Sequence, residues 1–170
     1  MPQVVQVKRN HRKRYAAIAG GMVAVLLIVV SVVGYSVWRS MSSAQDIVSQ
    51  ADALNAQGKY QDAYDKLQQA YGWAFTNQDK VLLTSRLAST KYDMGDFKAA
   101  LKYYQHLDTL QPHNAGTLVD IGDLAVQTGD KAAAVKAYSE AIPLMQAGPK
   151  GPTTAANIQN LQQEVAELQK

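Results

Sequence analysis

The sequence predicts an all-α protein in which about three helical hairpins stack into a solenoid, with a C-terminal capping helix and one transmembrane helix before the stack. Two observations predict this fold. A Gly-Asp pair, followed by alanine and then by an aromatic residue, occurs at Gly95 and again 34 residues later at Gly129. Residues 15–38 form a separate apolar run without a charged side chain. A fixed repeat period is typical of stacked hairpins, and a long uncharged run is typical of a membrane helix.

The positive charge of the chain is concentrated in its first residues. The formal net charge is +3, but five of the 17 Lys and Arg residues lie within residues 1–14. Residues 39–170 carry the other 12 against 14 acidic residues, a net charge of −2. The positive net charge therefore comes from the short N-terminal tail, and it predicts no nucleic-acid partner. The sequence contains no cysteine, which excludes disulfides and thiolate ligands.

Residues 15–38 are predicted to cross a lipid bilayer as one helix. A helix of these 24 residues rises roughly 36 Å, and the hydrocarbon core is about 30 Å thick. Because the basic tail of residues 1–14 precedes the run, the positive-inside bias predicts a cytoplasmic N-terminus and an extracytoplasmic remainder. The sequence therefore predicts a single-pass protein of the cell membrane, with the lipid bilayer as a partner through residues 15–38.

A cleaved signal peptide is the alternative interpretation of this run. Ser42, Ser43 and Ala44 are small residues of the kind found at a cleavage site, and the mature chain would then begin at Gln45. The run is longer than the apolar region of a typical signal peptide, which has about 7–15 residues. The length therefore favours a retained membrane helix.

Each predicted hairpin consists of two amphipathic helices joined at a glycine. The glycine permits the left-handed backbone that ends the first helix, and the aspartate after it can cap the second. Small residues would allow the paired helices to approach closely, and aromatic residues would fill the space between neighbours. In the two clearest hairpins these positions are Leu87, Ala88, Gly95, Ala100, Leu101, Tyr104 and Leu107, and then Leu118, Ile121, Gly122, Ala125, Gly129, Ala134, Tyr138, Ala141 and Ile142.

This spacing resembles the tetratricopeptide repeat, a family of helical-hairpin repeats. The family pattern of a small residue, a turn glycine, an alanine, an aromatic residue and a proline appears as Ala88, Gly95, Ala100, Tyr104 and Pro112. It appears again, without the proline, as Gly122, Gly129, Ala134 and Tyr138. A looser first unit contains Ala51, Leu54, Gly58, Tyr60, Ala63, Leu67 and Ala70. The resemblance implies a domain over residues 39–148, with repeats at about 44–77, 81–114 and 115–148.

Residues 149–170 are predicted to form a capping helix after the solenoid. Pro152 and the two threonines that follow it are typical of a helix start. One apolar stripe then recurs at intervals of three and four residues, at Ile158, Leu161, Val165 and Leu168. A coiled-coil dimer is conceivable, but the stripe is shorter than two heptads. A terminal helix with one apolar and one polar face is what a repeat stack requires at its end.

The titratable residues do not form a pattern typical of an enzyme. His11, His106 and His113 each lack a second ligand three or four residues away, and no glycine-rich phosphate loop occurs. Asp120 and Asp123 are one helical turn apart, but without a partner base or ligand they are interpreted as polar surface. The sequence therefore predicts no catalytic residue, no metal site and no cofactor.

The resemblance also implies a binding surface on the first helix of each hairpin, which lines the concave side of the solenoid. The family positions on that side correspond here to nine residues, called the groove below: Asp52, Asn55, Arg86, Ser89, Tyr92, Asp93, Asp120, Asp123 and Gln127. Four aspartates and one arginine predict a mildly acidic groove that prefers segments carrying Lys or Arg, with Tyr92 as the anchor. Family members that clamp a C-terminal carboxylate use a Lys, Asn and Arg set that is absent here.

The predicted function is that of a membrane-anchored extracytoplasmic scaffold that binds a protein or peptide partner. Its layout is similar to that of bacterial envelope scaffolds and of periplasmic repeat proteins that attend the secretion translocon. The alternative is an accessory subunit of an envelope or translocon complex that binds no free peptide. Both hypotheses describe an interaction protein and not an enzyme.

Overall fold

The computed structural model describes residues 25–36 and 44–170. It divides the chain into two compact units, Met1–Ser40 and Met41–Lys170. In the first unit, residues 25–36 form helix α1, whose large apolar side chains are between 54% and 66% exposed. Apolar side chains therefore cover the surface of α1 on every side.

The expectation of a membrane helix requires correction. Within residues 25–36 and 44–170, the structure contains no helix with the length and apolar character needed to cross a bilayer. The transmembrane helix and the bilayer partner expected over residues 15–38 are thus not supported, and the predicted single-pass cell-membrane localisation, with an extracytoplasmic domain, is wrong.

Several expectations for the N-terminal part lie outside the described residues. The basic tail of residues 1–14 is one of them, and so are both ends of the expected span, residues 15–24 and 37–38. The serines of the proposed signal-peptide cleavage site, residues 42 and 43, are also outside them. Of the apolar run, the structure describes residues 25–36, which form α1.

Over residues 44–170 the second unit consists of helices and short connections. Its helices are α2 over residues 44–56, α3 Tyr60–Tyr71, α4 Asn77–Asp93, α5 Phe97–Leu110, α6 Ala115–Thr128, α7 Lys131–Ala147 and α8 Thr154–Leu168. From α3 to α8, each helix packs against the next. Three hairpins, α2–α3, α4–α5 and α6–α7, are thus followed by α8, which confirms the predicted all-α helical-hairpin solenoid. The predicted domain and repeat boundaries stay predictions.

Glycines with positive φ join the two helices of each hairpin. The φ angle is +73° at Gly58, +75° at Gly95 and +82° at Gly129, as the left-handed turns predicted from the repeat require. In two hairpins, the residue directly after the glycine caps the second helix. Asp96 Oδ1 accepts from the backbone N–H of residue 99 at 3.1 Å, and Asp130 Oδ1 accepts from that of residue 133 at 3.0 Å.

Small side chains occupy the closest helix contacts in the core of the second unit. Ala88, Ala100 and Ala134 are 0% exposed, as the repeat pattern predicts. Gly122 on α6 lies against the ring of Tyr138 on α7, and a Cβ atom at residue 122 would come within 2.8 Å of three ring atoms. The close approach of α6 and α7 therefore depends on the absence of a side chain at Gly122.

Helix α8 covers α7 with the apolar stripe predicted for a capping helix. Leu161 is 7% exposed and belongs to the buried cluster that contains Tyr138. Val165 and Leu168 pack against the same cluster, and Ile158 is half-buried. Burial of a leucine side chain stabilises a fold by about 1.5–3 kcal/mol, so Leu161 contributes to the packing of α8 on α7.

Candidate functional site

A cavity of about 390 Å³ is lined by side chains of helices α4 to α8. Its polar and aromatic lining consists of Ser89 and Tyr92 on α4, Tyr104 on α5, Asp120, Asp123 and Gln127 on α6, Tyr138 on α7, and Glu164 on α8. Leu124 and Val126 add apolar surface from α6. The cavity thus requires two stacked hairpins and the capping helix, and no single helix could form it.

The structure brings five of the nine groove residues together in this cavity. They are Ser89, Tyr92, Asp120, Asp123 and Gln127. The other four, Asp52, Asn55, Arg86 and Asp93, do not belong to its lining. The role of all nine residues in binding stays a prediction.

Three of the remaining groove residues connect α2 to α4. Arg86 Nη2 lies 3.5 Å from Asp52 Oδ2, and the two side chains are 43% and 44% exposed. Asn55 Nδ2 donates a hydrogen bond to Thr90 Oγ1 at 2.9 Å. Because Arg86 and Asp52 compensate each other, the remaining acidity of the groove lies on Asp93 and on the two cavity residues Asp120 and Asp123.

A buried tyrosine holds one carboxylate of the cavity in place. Tyr138 is 0% exposed, and its hydroxyl donates a hydrogen bond to Asp123 Oδ1 at 2.7 Å. The Glu164 carboxylate also lies near this hydroxyl. Burial, followed by the effects of Asp123 and Glu164, raises the pKa of Tyr138 well above its usual value. The hydroxyl consequently remains a donor at neutral pH and fixes the orientation of Asp123.

The second carboxyl group of α6 lacks such a partner. Asp120 makes no hydrogen bond or ion pair within the part of the chain that the structure describes. Burial and, secondarily, the Asp123 carboxylate raise the pKa of Asp120 to about 6. Burial, followed by the charges of Asp120 and Asp93, raises the pKa of Tyr104 to about 12. At Tyr104, the negative charges of Asp120 and Asp93 outweigh the positive charge of Arg86, which lowers the pKa.

Tyr92 gives the cavity an exposed aromatic wall. Its side chain is 46% exposed, and its ring centroid lies 5.4 Å from that of Phe97 at an interplanar angle of 61°. This edge-to-face contact fixes one side of the ring, while the remainder stays accessible to a ligand. That Tyr92 anchors a bound segment stays a prediction.

Sequence reasoning did not place Tyr104, Tyr138 or Glu164 at the site. The repeat pattern assigns both tyrosines to the packing between hairpins, and it does not extend to α8. In the structure all three also line the cavity. For Glu164 a usable signal exists, because it follows Leu161 by three residues and must lie on the same side of α8.

The tetratricopeptide repeat family model matches residues 85–114 and 115–144. Residues 85–144 therefore contain two tetratricopeptide repeats. The matches fall on the second and third hairpins, and they confirm the repeats expected from the Gly-Asp spacing. The chain matches no curated protein sequence.

Solved structures share the helical-hairpin fold over a longer part of the chain than these two repeats. PcrH from Pseudomonas aeruginosa has a TM-score of 0.61 and 17% identity over 74% of this chain and 92% of its own. The Yersinia enterocolitica type III secretion chaperone SycD has a TM-score of 0.63 and 15% identity over 76% of this chain and 96% of its own. That structure holds SycD in complex with a peptide of the translocator YopD. The first tetratricopeptide domain of Spaghetti, bound to an HSP90 peptide, has a TM-score of 0.56 and 18% identity over 72% of this chain and 93% of its own. At these identities the likeness shows the fold alone.

Proposed function

We propose that this chain is a protein-interaction module whose cavity between α4 and α8 binds a peptide segment of a partner protein. The observation that carries the proposal is the cavity itself. It measures about 390 Å³, is built from two stacked repeats and the capping helix, and has Tyr92 at 46% exposure in its wall. An accessible aromatic ring beside fixed polar groups is typical of the residues that dominate protein–protein binding.

Two of the solved structures with this fold support a peptide as the ligand. SycD is seen with a peptide of the translocator YopD, and the Spaghetti domain is seen with an HSP90 peptide. Stacked helical hairpins present an extended concave surface, which suits a peptide better than a small molecule. The cavity of this chain lies in a solenoid of that kind.

The charge of the groove supports a basic peptide. Within the described residues, Asp93, Asp120 and Asp123 have no ionic partner. The groove's arginine, Arg86, pairs with Asp52 instead. A segment that carries Lys or Arg would complement this charge, whereas an acidic segment would be repelled. The HSP90 peptide in the Spaghetti structure, SRMEEVD, is acidic. We therefore expect this chain to select a different class of peptide.

Site-specific photo-crosslinking in cells tests this proposal. A photoreactive amino acid at Gln127, which lines the cavity, should give a partner adduct that the same group at Gln105 does not, since Gln105 is exposed on α5 outside the cavity lining. Tyr92→Ala should lower the yield of the Gln127 adduct. Equal adducts at the two positions, or a yield that Tyr92→Ala leaves unchanged, would refute peptide binding in the cavity and favour an accessory subunit that docks elsewhere.

A further inference from the structure

We infer that the cavity receives one cationic side chain, Lys or Arg, of the bound peptide, and that helix α8 is part of this receptor through Glu164. The inference rests on the proposed function and specifies the chemistry of the partner. It also gives α8 a binding role in addition to its packing on α7.

The lining places three carboxyl groups around one concavity. Asp120 and Asp123 lie one turn apart on α6, and Glu164 enters from α8. Among the described residues that line the cavity, none is Lys, Arg or His. Asp120 has no polar partner there, and burial together with Asp123 raises its pKa to about 6. A cation that enters the cavity would therefore stabilise all three carboxylates.

The cations that α4 carries nearest to the cavity are held by other contacts. Arg86 pairs with Asp52 at 3.5 Å. Lys91 Nζ lies 3.9 Å from the centroid of the Tyr64 ring and 3.9 Å from Asp96 Oδ2, and its side chain is only 14% exposed. Neither cation lines the cavity, which leaves the cavity carboxylates available to a cation from outside the domain.

The remaining lining suits the rest of a long basic side chain. Tyr92 and Tyr104 present aromatic rings, which attract ammonium and guanidinium groups. Leu124 and Val126 provide apolar surface for an aliphatic stem. The volume of about 390 Å³ falls within the range of about 300–1,000 Å³ that is typical of ligand sites.

The arrangement favours an organic cation over a metal ion. Within residues 25–36 and 44–170, no three His, Asp or Glu side chains are arranged to hold a metal, and this includes the cavity carboxylates. Asp123 is already oriented by the Tyr138 hydroxyl at 2.7 Å, so a cationic side chain would meet a preformed acceptor. Carboxylates spread around a concavity suit the several donors of a guanidinium or ammonium group.

Matched peptides titrated into the isotope-labelled full chain test this inference by nuclear magnetic resonance. The probes are three short peptides that differ only in a central Arg, citrulline or Glu. The Arg peptide should shift the backbone signals of Tyr92 and Gln127 and bind about tenfold more tightly than the citrulline peptide, which has the same shape without the charge. Equal affinity of the Arg and citrulline peptides would overturn the inference while leaving peptide binding in place.

Variants separate the contribution of α8 from that of α6. Asp120→Asn and Glu164→Gln should each weaken the Arg peptide about tenfold, since each removes a charge-assisted contact. Asp62→Asn makes the same charge change at an exposed position of α3 outside the cavity lining, and should leave the affinity unchanged. An unchanged affinity in Glu164→Gln would overturn the role of α8.

A free alkylguanidine serves as a final probe, because it carries the same cation without a peptide. It should bind more weakly than the Arg peptide, whose backbone adds contacts in the groove. Equal binding would assign the cavity to a small cation and would contradict the inference. If no peptide shifts the signals of Tyr92 or Gln127, both the inference and the proposed function fail.

Discussion

Replacing Gly122 by alanine should destabilise the second unit, although alanine is the better helix former. A Cβ atom at residue 122 would lie 2.5 Å from Cδ1 and 2.8 Å from Cζ of Tyr138, closer than the 3.0 Å that real Cβ contacts respect. The ring cannot retreat easily, because Tyr138 is 0% exposed and packs in a cluster with Leu161. Its hydroxyl is also held by Asp123 at 2.7 Å.

The magnitude follows from three opposing terms. Alanine in place of glycine within a helix stabilises it by about 0.5–1 kcal/mol. Overpacking a core costs about 1–3 kcal/mol, and losing a hydrogen bond to a charged group costs about 1.5–3 kcal/mol. If the ring shifts far enough to lose its bond to Asp123, Gly122→Ala should lower the free energy of unfolding by about 2–5 kcal/mol. That is a large fraction of the roughly 5–15 kcal/mol that stabilises a typical domain.

A double-mutant cycle with Tyr138→Ala isolates the contact, with urea unfolding of the full chain followed by circular dichroism. Without the ring, Gly122→Ala should stabilise the protein by about 0.5–1 kcal/mol, because only the helix preference remains. In a Tyr138→Phe background the ring is kept, so Gly122→Ala should remain destabilising. A neutral or stabilising effect of Gly122→Ala in the wild-type chain would refute the packing of α6 against α7 described above.

Three further predictions concern the turn, the cavity and the cap. Gly129→Val should lower the free energy of unfolding by about 1–3 kcal/mol because φ is +82° there, whereas Gly129→Asn should retain most of the stability in the same urea assay. Asp120→Asn should raise the Tm near neutral pH and have little effect at about pH 4. The pKa of Asp120 rises from 3.8 to about 6 on folding, so the folded chain binds more protons in that window and loses stability as the pH rises through it. Leu161→Ala should lower the free energy of unfolding by about 2–5 kcal/mol, since Leu161 is 7% exposed. Calorimetry should also show weaker peptide binding, because the substitution loosens the packing of α8.

The hairpins could be predicted because their turns depend on local backbone chemistry. A helix that must end in the left-handed region needs glycine, so Gly95 and Gly129 mark the turns without any tertiary information. Asp96 and Asp130 add a cap that is also local. The small residue at Gly122 points to a close helix contact, but the sequence does not show that Tyr138 is the ring it meets.

The apolar run was misjudged for a physical reason. Hydropathy measures the transfer free energy of side chains, and it does not define where a helix begins or ends. Within residues 25–36 and 44–170, no helix combines the length and the apolar character that a membrane span requires. Over the described residues 25–36, the uncharged sequence forms an exposed apolar surface, which by itself does not establish a membrane topology.

The candidate site could be predicted only in part, because it depends on contacts between helices distant in sequence. Position within a repeat identified five lining residues, including Tyr92 and Asp120. It gave no indication that Arg86 would pair with Asp52 across helices and lie outside the cavity lining. It also omitted Glu164, because a capping helix carries no repeat pattern.

The measurement that tests the central claim most directly is the affinity of the crosslinked partner for the double variant Asp120→Asn/Asp123→Asn. The change keeps side-chain size and leaves an amide oxygen to accept the hydrogen bond from Tyr138, so the circular dichroism spectrum should be unchanged. If the partner binds in the groove through charge, its affinity should fall in the double variant, and the salt dependence of binding should flatten. An affinity equal to that of the wild-type chain, both in this variant and in Tyr92→Ala, would contradict binding in the groove.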